Sequence, residues 1–574
     1  MPIHNADIAA VFGEIADRLE IEDANPFRVR AYRNAARRVG ELGRSVRTMI
    51  EQGADLDALP GIGPDLAGKM REIVATGSCA LLERLRQELP PTITELLALP
   101  GIGPKRARAL HRELELSTVA QLHEAARQGR IRSIPGFGAK TEEQILQATA
   151  THLQQPQRFR RSVGAAVAES LLAYLRAVHG VLQADPAGSL RRLRDTVGDL
   201  DLLVTVQPGS PVMDRFATYE DVRQVLAQGA TKTSVVLRNG MQVDLRAVTA
   251  ESFGAAWVYF TGSKAHGIAL RRLALERGLK INEYGVWRNH ERIAGETEAS
   301  VYRAVGLPFI EPELREDRGE IEAARQGRLP MLLRRTDLRG DLHAHTKDSD
   351  GHDPIEAMAA AAREQGLSYL AITDHSRRLA MAHGLDAARL AQQIEDIDRL
   401  NAALQGITLL KGIEVDILED GTLDLPDSIL QRLDLVIGAV HHRFDLPRAK
   451  QTERLLRAID QRHFSILAHP TGRLIGEREG YDVDLPRVLR QVHQRGCFIE
   501  LNAQPQRLDL DDTACQMAKA EGVLVCVDSD AHGVLDFDDL QHGIAQARRG
   551  WLEKADVLNT RTLAELRPLL ARTM

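Results

Sequence analysis

The spacing of apolar positions changes twice along the chain. Over the first 150 residues it is helical, as at 65–76 and 105–113. Three similar segments interrupt it: Leu59-Pro-Gly61-Ile-Gly63-Pro, Leu99-Pro-Gly101-Ile-Gly103-Pro and Ile134-Pro-Gly136-Phe-Gly138-Ala. Pro-Gly-x-Gly predicts a tight turn whose glycines can take positive φ. Farther on, residues 187–193 (AGSLRRL) and 200–206 (LDLLVTV) read as strands around a turn at 194–198. Residues 242–248 (QVDLRAV) read as another strand. The charged stretch 307–335 contains three prolines and reads as a linker, helical in part. Beyond it, apolar strand-like runs alternate with helical stretches, which predicts β-α units around a mainly parallel sheet or barrel.

These elements carry candidate chemistry. Residues i and i+2 of a strand share a face, so Asp199 and Asp201 project together, and a neighbouring strand can add Asp244. Three such carboxylates form a hard-oxygen site suited to Mg²⁺. Gly188 and Ser189 would let a triphosphate approach the backbone closely. A lone D-x-D is more often an exposed strand face, so the argument rests on the whole set. The glycine turns leave backbone N–H groups at the start of the next helix, and these bind phosphate without reading sequence. The bland alternative is a glycine-rich helix connector. Lys105, Arg106 and Arg108 follow the second copy.

Histidines accumulate in the last part, with 12 of 19 in residues 336–574. Strand-like runs there end in His375, Glu414, His441 and His442, His469, and Asp530 with His532. Polar residues at strand C-termini are where barrel enzymes build active sites. Any one of these histidines alone reads as structural.

Composition narrows the class. The chain has 574 residues, 44% hydrophobic and 27% charged, as in a globular protein. It shows neither an apolar run of membrane length nor a signal-peptide start, so a cytoplasmic, nucleoid-associated place is expected. Four scattered cysteines without C-x-x-C argue against disulfides and thiolate zinc. Net charge is −6, but residues 151–335 carry +5 and residues 336–574 carry −11. The middle is thus compatible with a phosphate partner, and the acidic end with bound cations.

Taken together, the Gly-Ser arm, Arg191-Arg192 and the three aspartates resemble the nucleotidyltransferase core. Residues 259–267 (YFTGSKAHG) resemble the YFTGS segment of family X DNA polymerases, and the glycine turns resemble helix-hairpin-helix motifs. The nucleotide would then be held by Gly188, Ser189, Arg192, Tyr259, Phe260, Thr261 and Gly262. DNA phosphates would meet Gly61, Gly63, Gly101, Gly103, Lys105, Gly136 and Gly138. Gly267 stands where the family often has an Asn, which puts nucleotide selection in question. Residues 25–36 resemble the opening helix of the family's lyase domain. That places Lys69 at the Schiff-base position, although a solvated helix lysine is the plainer identity. The C-terminal part resembles the PHP (polymerase and histidinol phosphatase) domain. Its ligand set would be His343, His345, Asp350, His375, Glu414, His441, His469, Asp530 and His532, with His441 preferred to His442.

The resemblance spans nearly the whole chain and implies a multidomain fold. This comprises an all-α helix-hairpin-helix N-terminal region, an α+β nucleotidyltransferase (polymerase beta-like) palm and an α/β PHP domain, a distorted (βα)7 barrel. The expected boundaries are 1–90 lyase-like, 91–150 fingers-like, 151–250 palm, 251–312 thumb-like nucleotide selection, 313–335 linker and 336–574 PHP. The implied activity is DNA-directed gap filling in repair of the base-excision type. It is joined to a Mn²⁺-dependent 3′→5′ exonuclease with AP-endonuclease or 3′-phosphatase activity. The expected cofactors are Mg²⁺ or Mn²⁺ at the aspartates, and up to three Mn²⁺ or Zn²⁺ ions at the histidines. The expected partners are gapped or primer–template DNA and deoxynucleoside triphosphates, bound by a monomer without a membrane. Three competitors stay open: a metallophosphoesterase whose polymerase core only binds DNA, a non-enzymatic DNA-end scaffold and, with less support, a small-molecule phosphatase.

Overall fold

The computed structural model describes residues 5–22, 24–41, 46–59, 61–89, 93, 96–97, 99, 102–154, 158–379 and 382–574. The chain divides into two compact units. The first comprises Met1–Gln157, Ala217–Leu226 and Val235–Gln242, and the second Arg158–Phe216, Ala227–Ser234 and Val243–Met574.

The N-terminal part of the first unit is helical and has two apolar cores. Phe12, Ile15, Tyr32, Ile62 and Met70 belong to one, and Ile102, Leu110, Leu122 and Phe137 to the other. The three glycine turns share their backbone pattern. Ile62, Ile102 and Phe137 donate N–H groups to Leu59, Leu99 and Ile134, each at 3.0 Å. Gly61 and Gly136 sit at φ +74° and +88°, as expected for the turn. Gly63 and Gly103 differ from that expectation. They are extended N-caps of the helices Pro64–Thr76 and Pro104–Leu114, whose first-turn prolines need no N–H partner. Gly101 lies outside the described residues.

In the second unit, β1 (Phe159–Arg160) pairs with β3 (Thr196–Val197). A five-stranded sheet, not confined to that unit, is built from β2 (Val181–Pro186), β4 (Asp199–Val206), β5 (Val222–Gln228), β6 (Lys232–Leu237) and β7 (Gln242–Val248). Its order is β2-β4-β7-β6-β5, so β4 and β7 are neighbours and carry the three aspartates. The segment read as a strand at 187–193 instead holds a short helix, Gly188–Arg191. The reason is a close contact with β4. Ala187 N–H is tied to Asp201 O at 2.8 Å, and Gly188 turns the chain at φ +61°. At Gly188 a Cβ would lie 2.5 Å from Asp201 Oδ2, so only glycine lets this arm pass so close to the carboxylate.

The following layer contains the helices Phe253–Thr261 and Lys264–Glu276, the hairpins of β8 (Lys280–Asn282), β9 (Gly285–Arg288) and β10 (Glu291–Ala294), and the helix Glu298–Ala304. The stretch read as a linker is packed into this layer. Arg315 is fully buried and bonds Glu298 at 2.8 Å, and buried Glu320 bonds His266 Nδ1 at 2.6 Å. These charges are paired in the interior, which a charge count cannot distinguish from a solvated connector.

Among the described residues, the strands of the C-terminal part pair with one another in parallel. One sheet joins β11 (Gly340–Asp341), β12 (Tyr369–Ile372) and β13 (Thr408–Lys411). The other runs β14 (Glu414–Asp416), β15 (Ile437–Ala439), β16 (Ile466–Leu467), β17 (Phe498–Asn502) and β18 (Val525–Asp528). Parallel bridges His375↔Glu414 and Ala344↔Ala531 connect the two sheets at both edges. β13 and β14 follow each other in one run, so seven strand runs succeed one another, as a distorted (βα)7 ring requires. Its interior is filled by Tyr369, Leu410, Ile437, Ile466 and Phe498.

Gly254 sets the depth of the helix Phe253–Thr261. A Cβ there would lie 2.1 Å from the carbonyl carbon of Thr297, a backbone atom that cannot swing aside. Gly254→Ala is expected to cost about 1–3 kcal/mol, read as a lower melting temperature.

Two candidate metal centres

The first centre lies where β4 and β7 run side by side. Asp199 begins β4 at an exposed position, Asp201 is half-buried two residues on, and Asp244 is buried on β7. The Asp201 carboxyl is pushed up to about 7, first by burial and then by the charges of Asp199 and Asp244. A site of like charges whose ionisation is opposed in this way fits a divalent cation, which would supply the missing counter-charge. Asp244 is turned to Lys232 Nζ at 2.8 Å, with Arg246 at 3.8 Å. The three aspartates do not form one of the tightly gathered ligand groups among the described residues, whereas the histidine sites do.

The nucleotide candidates surround this centre. Tyr259 and Phe260 lie at the end of a helix, with ring centroids 5.1 Å apart. Tyr259 is exposed, and Phe260 lies under Arg246 at 4.2 Å. Gly262 turns at φ +67°. Ser189 is half-buried on the short helix beside Gly188. Arg192 donates Nε to Glu316 at 3.0 Å and a terminal nitrogen to the Thr261 carbonyl at 2.5 Å. Arg191 has a structural role. It forks onto Glu298 at 2.7 and 2.6 Å, bonds Thr261 Oγ1 at 2.8 Å and covers the Trp257 ring at 3.4 Å.

The second centre is deeper. His343, His345, Glu414 and His469 are buried, and ligand atoms gather into three groups. These are His345, Asp350, His375 and His532; His343, His345 and Asp530; and His375, Glu414 and His441. His469 joins through Glu414, its Nε2 lying 2.8 Å from Oε1. His345 Nε2 is 3.1 Å from both His343 Nε2 and Asp530 Oδ1. His375 Nδ1 is 2.7 Å from Glu414 Oε2, and His441 Nε2 is 3.3 Å from Oε1. His442 is more exposed and faces Asp416 at 3.3 Å.

Several buried atoms here have no hydrogen-bond partner, among them the Nδ1 atoms of His345 and His469. Unpartnered buried acceptors are costly, and cations would satisfy them. Burial and the neighbouring His532 and His375 push His345 down to about 3, so it is held neutral, as a metal ligand must be. Burial opposes the ionised form of Glu414, but His375, His441 and His343 outweigh it and hold the carboxyl well below its usual range.

Two outer residues were not legible as candidates. Glu500 on β17 accepts from His343 Nδ1 at 2.5 Å and from the His469 N–H at 2.5 Å. Asp416, two residues after Glu414, accepts from His441 Nδ1 at 2.8 Å. Each carboxylate fixes Nδ1 as the protonated nitrogen and leaves Nε2 for an ion. His532 is fixed similarly, its Nδ1 lying 2.8 Å from the Asp530 carbonyl. The only local signals were the i, i+2 spacing of Glu414 and Asp416 and a carboxylate inside an apolar strand.

The DNA candidates lie in the first unit. Gly61, Gly63, Gly103, Gly136 and Gly138 each have open space where a Cβ would point, so a phosphate can approach the backbone. Lys105 is exposed in the first turn of its helix. Lys69 pairs with Asp65 and sits 5.9 Å from the Tyr32 ring centroid. Burial works to lower its ammonium, but Asp65 and Tyr32 prevail and raise it. A Schiff-base amine needs the opposite shift.

The folds and sites thus define a chain in which helix-hairpin-helix repeats are followed in sequence by a nucleotidyltransferase-type aspartate centre and a PHP-type histidine centre. Family profiles agree. Residues 3–79 match a helix-hairpin-helix domain, 93–150 a SAM-like helix-hairpin-helix tandem, 256–316 the DNA polymerase beta thumb and 341–504 the PHP domain. The DNA polymerase/3′-5′ exonuclease PolX of Bacillus subtilis (strain 168) is 38% identical over 574 residues, 99% of this chain and 100% of that protein. A probable phosphatase of Thermoanaerobacter sp. (strain X514) is 30% identical over 232 residues, 38% of this chain and 89% of that protein. DNA polymerase lambda of Rattus norvegicus is 25% identical over 290 residues, 45% of this chain and 48% of that protein. The chain belongs to the PolX family, the family X DNA polymerases that carry a PHP domain.

Two outcomes follow from this geometry. Mg²⁺ must displace the proton that Asp201 holds near pH 7, so its affinity rises between pH 6 and 8 with proton release, measurable by calorimetry in two buffers. Glu500→Gln is expected to weaken metal retention at the histidine centre by about 10–100-fold, read by metal analysis after dialysis against chelator.

Proposed function

We propose that this chain fills short gaps in DNA at the aspartate centre and trims 3′ ends at the histidine centre. The carrying observation is that aspartates on the neighbouring strands β4 and β7, and a gathered set of histidines and carboxylates at the PHP strand ends, form two separate clusters in a chain whose N-terminal part carries the glycine turns. Similarity to a PolX enzyme along the whole chain supports the pairing.

At the first centre Asp199, Asp201 and Asp244 would hold Mg²⁺ or Mn²⁺, which supplies charge neutralisation at the primer hydroxyl and the α-phosphate. Gly188 lets the triphosphate approach the backbone, Ser189 and Arg192 bind its oxygens, Tyr259 and Phe260 pack on the sugar, and Thr261 and Gly262 shape that wall. The work left to the protein is positioning and electrostatics. At the second centre the nine residues from His343 to His532 would hold up to three Mn²⁺ or Zn²⁺ ions, which activate water toward a phosphoester. Glu500 and Asp416 orient two of those imidazoles. The hairpin glycines and Lys105 bind DNA phosphates.

The reading includes the domain boundaries given above except the linker at 313–335, which packs with the thumb-like layer, together with a monomer, a cytoplasmic and nucleoid-associated place, and AP-endonuclease or 3′-phosphatase activity at the histidine centre. Asp65 and Tyr32 favour the charged form of Lys69, so a lyase step there would need that pairing to open first. The likeness of the C-terminal part to a probable phosphatase favours a second reading, in which the histidine centre alone is active.

One labelled gapped DNA with Mg²⁺ or Mn²⁺ separates the two. Asp201→Ala should abolish extension and spare degradation, and His345→Ala should do the reverse. Retention of extension by Asp201→Ala, or loss of both activities in either variant, would refute the two-centre reading.

A further inference from the structure

The last residue of the PHP helix Leu540–Arg549 reaches the nucleotide arm of the palm. Arg549 is almost fully buried. It donates to the backbone carbonyl of Arg192 at 2.7 Å and to Glu316 Oε1 at 3.0 Å, and its other terminal nitrogen holds Asp512 at 2.5 Å. The same Glu316 oxygen accepts Arg192 Nε at 3.0 Å. Arg549 therefore grips Arg192 twice, through its main chain and through a shared carboxylate. The carbonyl it caps ends the short helix Gly188–Arg191, which carries Gly188 and Ser189. Arg318 braces the far side by bonding Asp512 at 3.0 Å.

These bonds fix the Arg192 guanidinium at Nε by Glu316 and at one terminal nitrogen by the Thr261 carbonyl. Its remaining terminal nitrogen is not held by either anchor. An arginine fixed in this way has its rotamers chosen before a ligand arrives, so less entropy is lost when it binds phosphate oxygens. The side chains of Arg192 and Glu316 are 12% and 9% exposed, so solvent screens the pair little.

We propose that Arg549 and Glu316 are positioning residues for nucleotide binding, and that the PHP domain thereby forms part of the palm's triphosphate site. This rests on the reading of Arg192 as a triphosphate ligand. An alternative role for Arg549 is general cohesion between palm and PHP domain. The Arg473–Asp195 pair at 3.2 Å joins the same two parts without touching Arg192, and so provides the control.

The experiment measures KM and kcat for a deoxynucleoside triphosphate on saturating gapped DNA, together with exonuclease rate, in the full-length enzyme. Arg549→Met and Glu316→Gln should each raise nucleotide KM by about fivefold or more, as loss of a charged hydrogen bond implies. Both should leave kcat and exonuclease rate within about twofold, and Arg549→Lys should fall between. Arg473→Met should leave KM unchanged. If Arg549→Met does not fold, Glu316→Gln decides alone. KM unchanged in both variants, while Arg192→Ala raises it, overturns the proposal and spares the reading beneath it. An equal rise in Arg473→Met overturns it in favour of cohesion. KM unchanged in Arg192→Ala overturns both.

Discussion

Ionisable groups brought together out of water are the constraint on which both centres depend. Asp201 cannot ionise freely beside Asp199 and Asp244, and Glu414 lies buried among imidazoles of His343, His375, His441 and His469. Desolvation makes such clusters expensive unless counter-charge or hydrogen bonds compensate. The fold provides partial compensation through Glu500, Asp416 and Lys232 and leaves buried acceptors open toward the sites. Bound cations would complete the balance. The cost of the clusters is thus tied to metal binding, and metal binding to phosphate chemistry.

The surrounding architecture serves that arrangement. Parallel strand runs bring His375, Glu414, His441, His469 and Asp530 from distant parts of the chain to one end of the ring. The neighbouring positions of β4 and β7 do the same for the aspartates. Glycines act where backbone must pass close to something: Gly188 beside Asp201, and Gly254 against Thr297. Elsewhere the same residue leaves open space, as at the hairpin turns, where a phosphate can come close.

Much of this was legible because it is local. The hairpin repeats, the D-x-D strand, the YFTGS segment and the histidine-capped strands are short motifs whose residues act where they stand. What was missed depended on tertiary contacts. Residues 188–191 form a helix because Asp201 and Gly188 direct the chain there, against a strand-like pattern. The stretch 307–335 reads as a solvated connector until Arg315 and Glu320 are seen buried against Glu298 and His266. Glu500 and Asp416 sit inside apolar runs and gain their role only from the histidine across from each. Arg549 is one arginine among many until its fork meets Arg192 and Glu316.

The central claim is that two independent sets of ligands gather cations in one chain. Crystals of the full-length protein grown with Mn²⁺ test it by anomalous diffraction at the manganese edge. The account predicts density among Asp199, Asp201 and Asp244, and up to three peaks among the nine ligands from His343 to His532. Well-ordered crystals without a peak at either set of residues would contradict it.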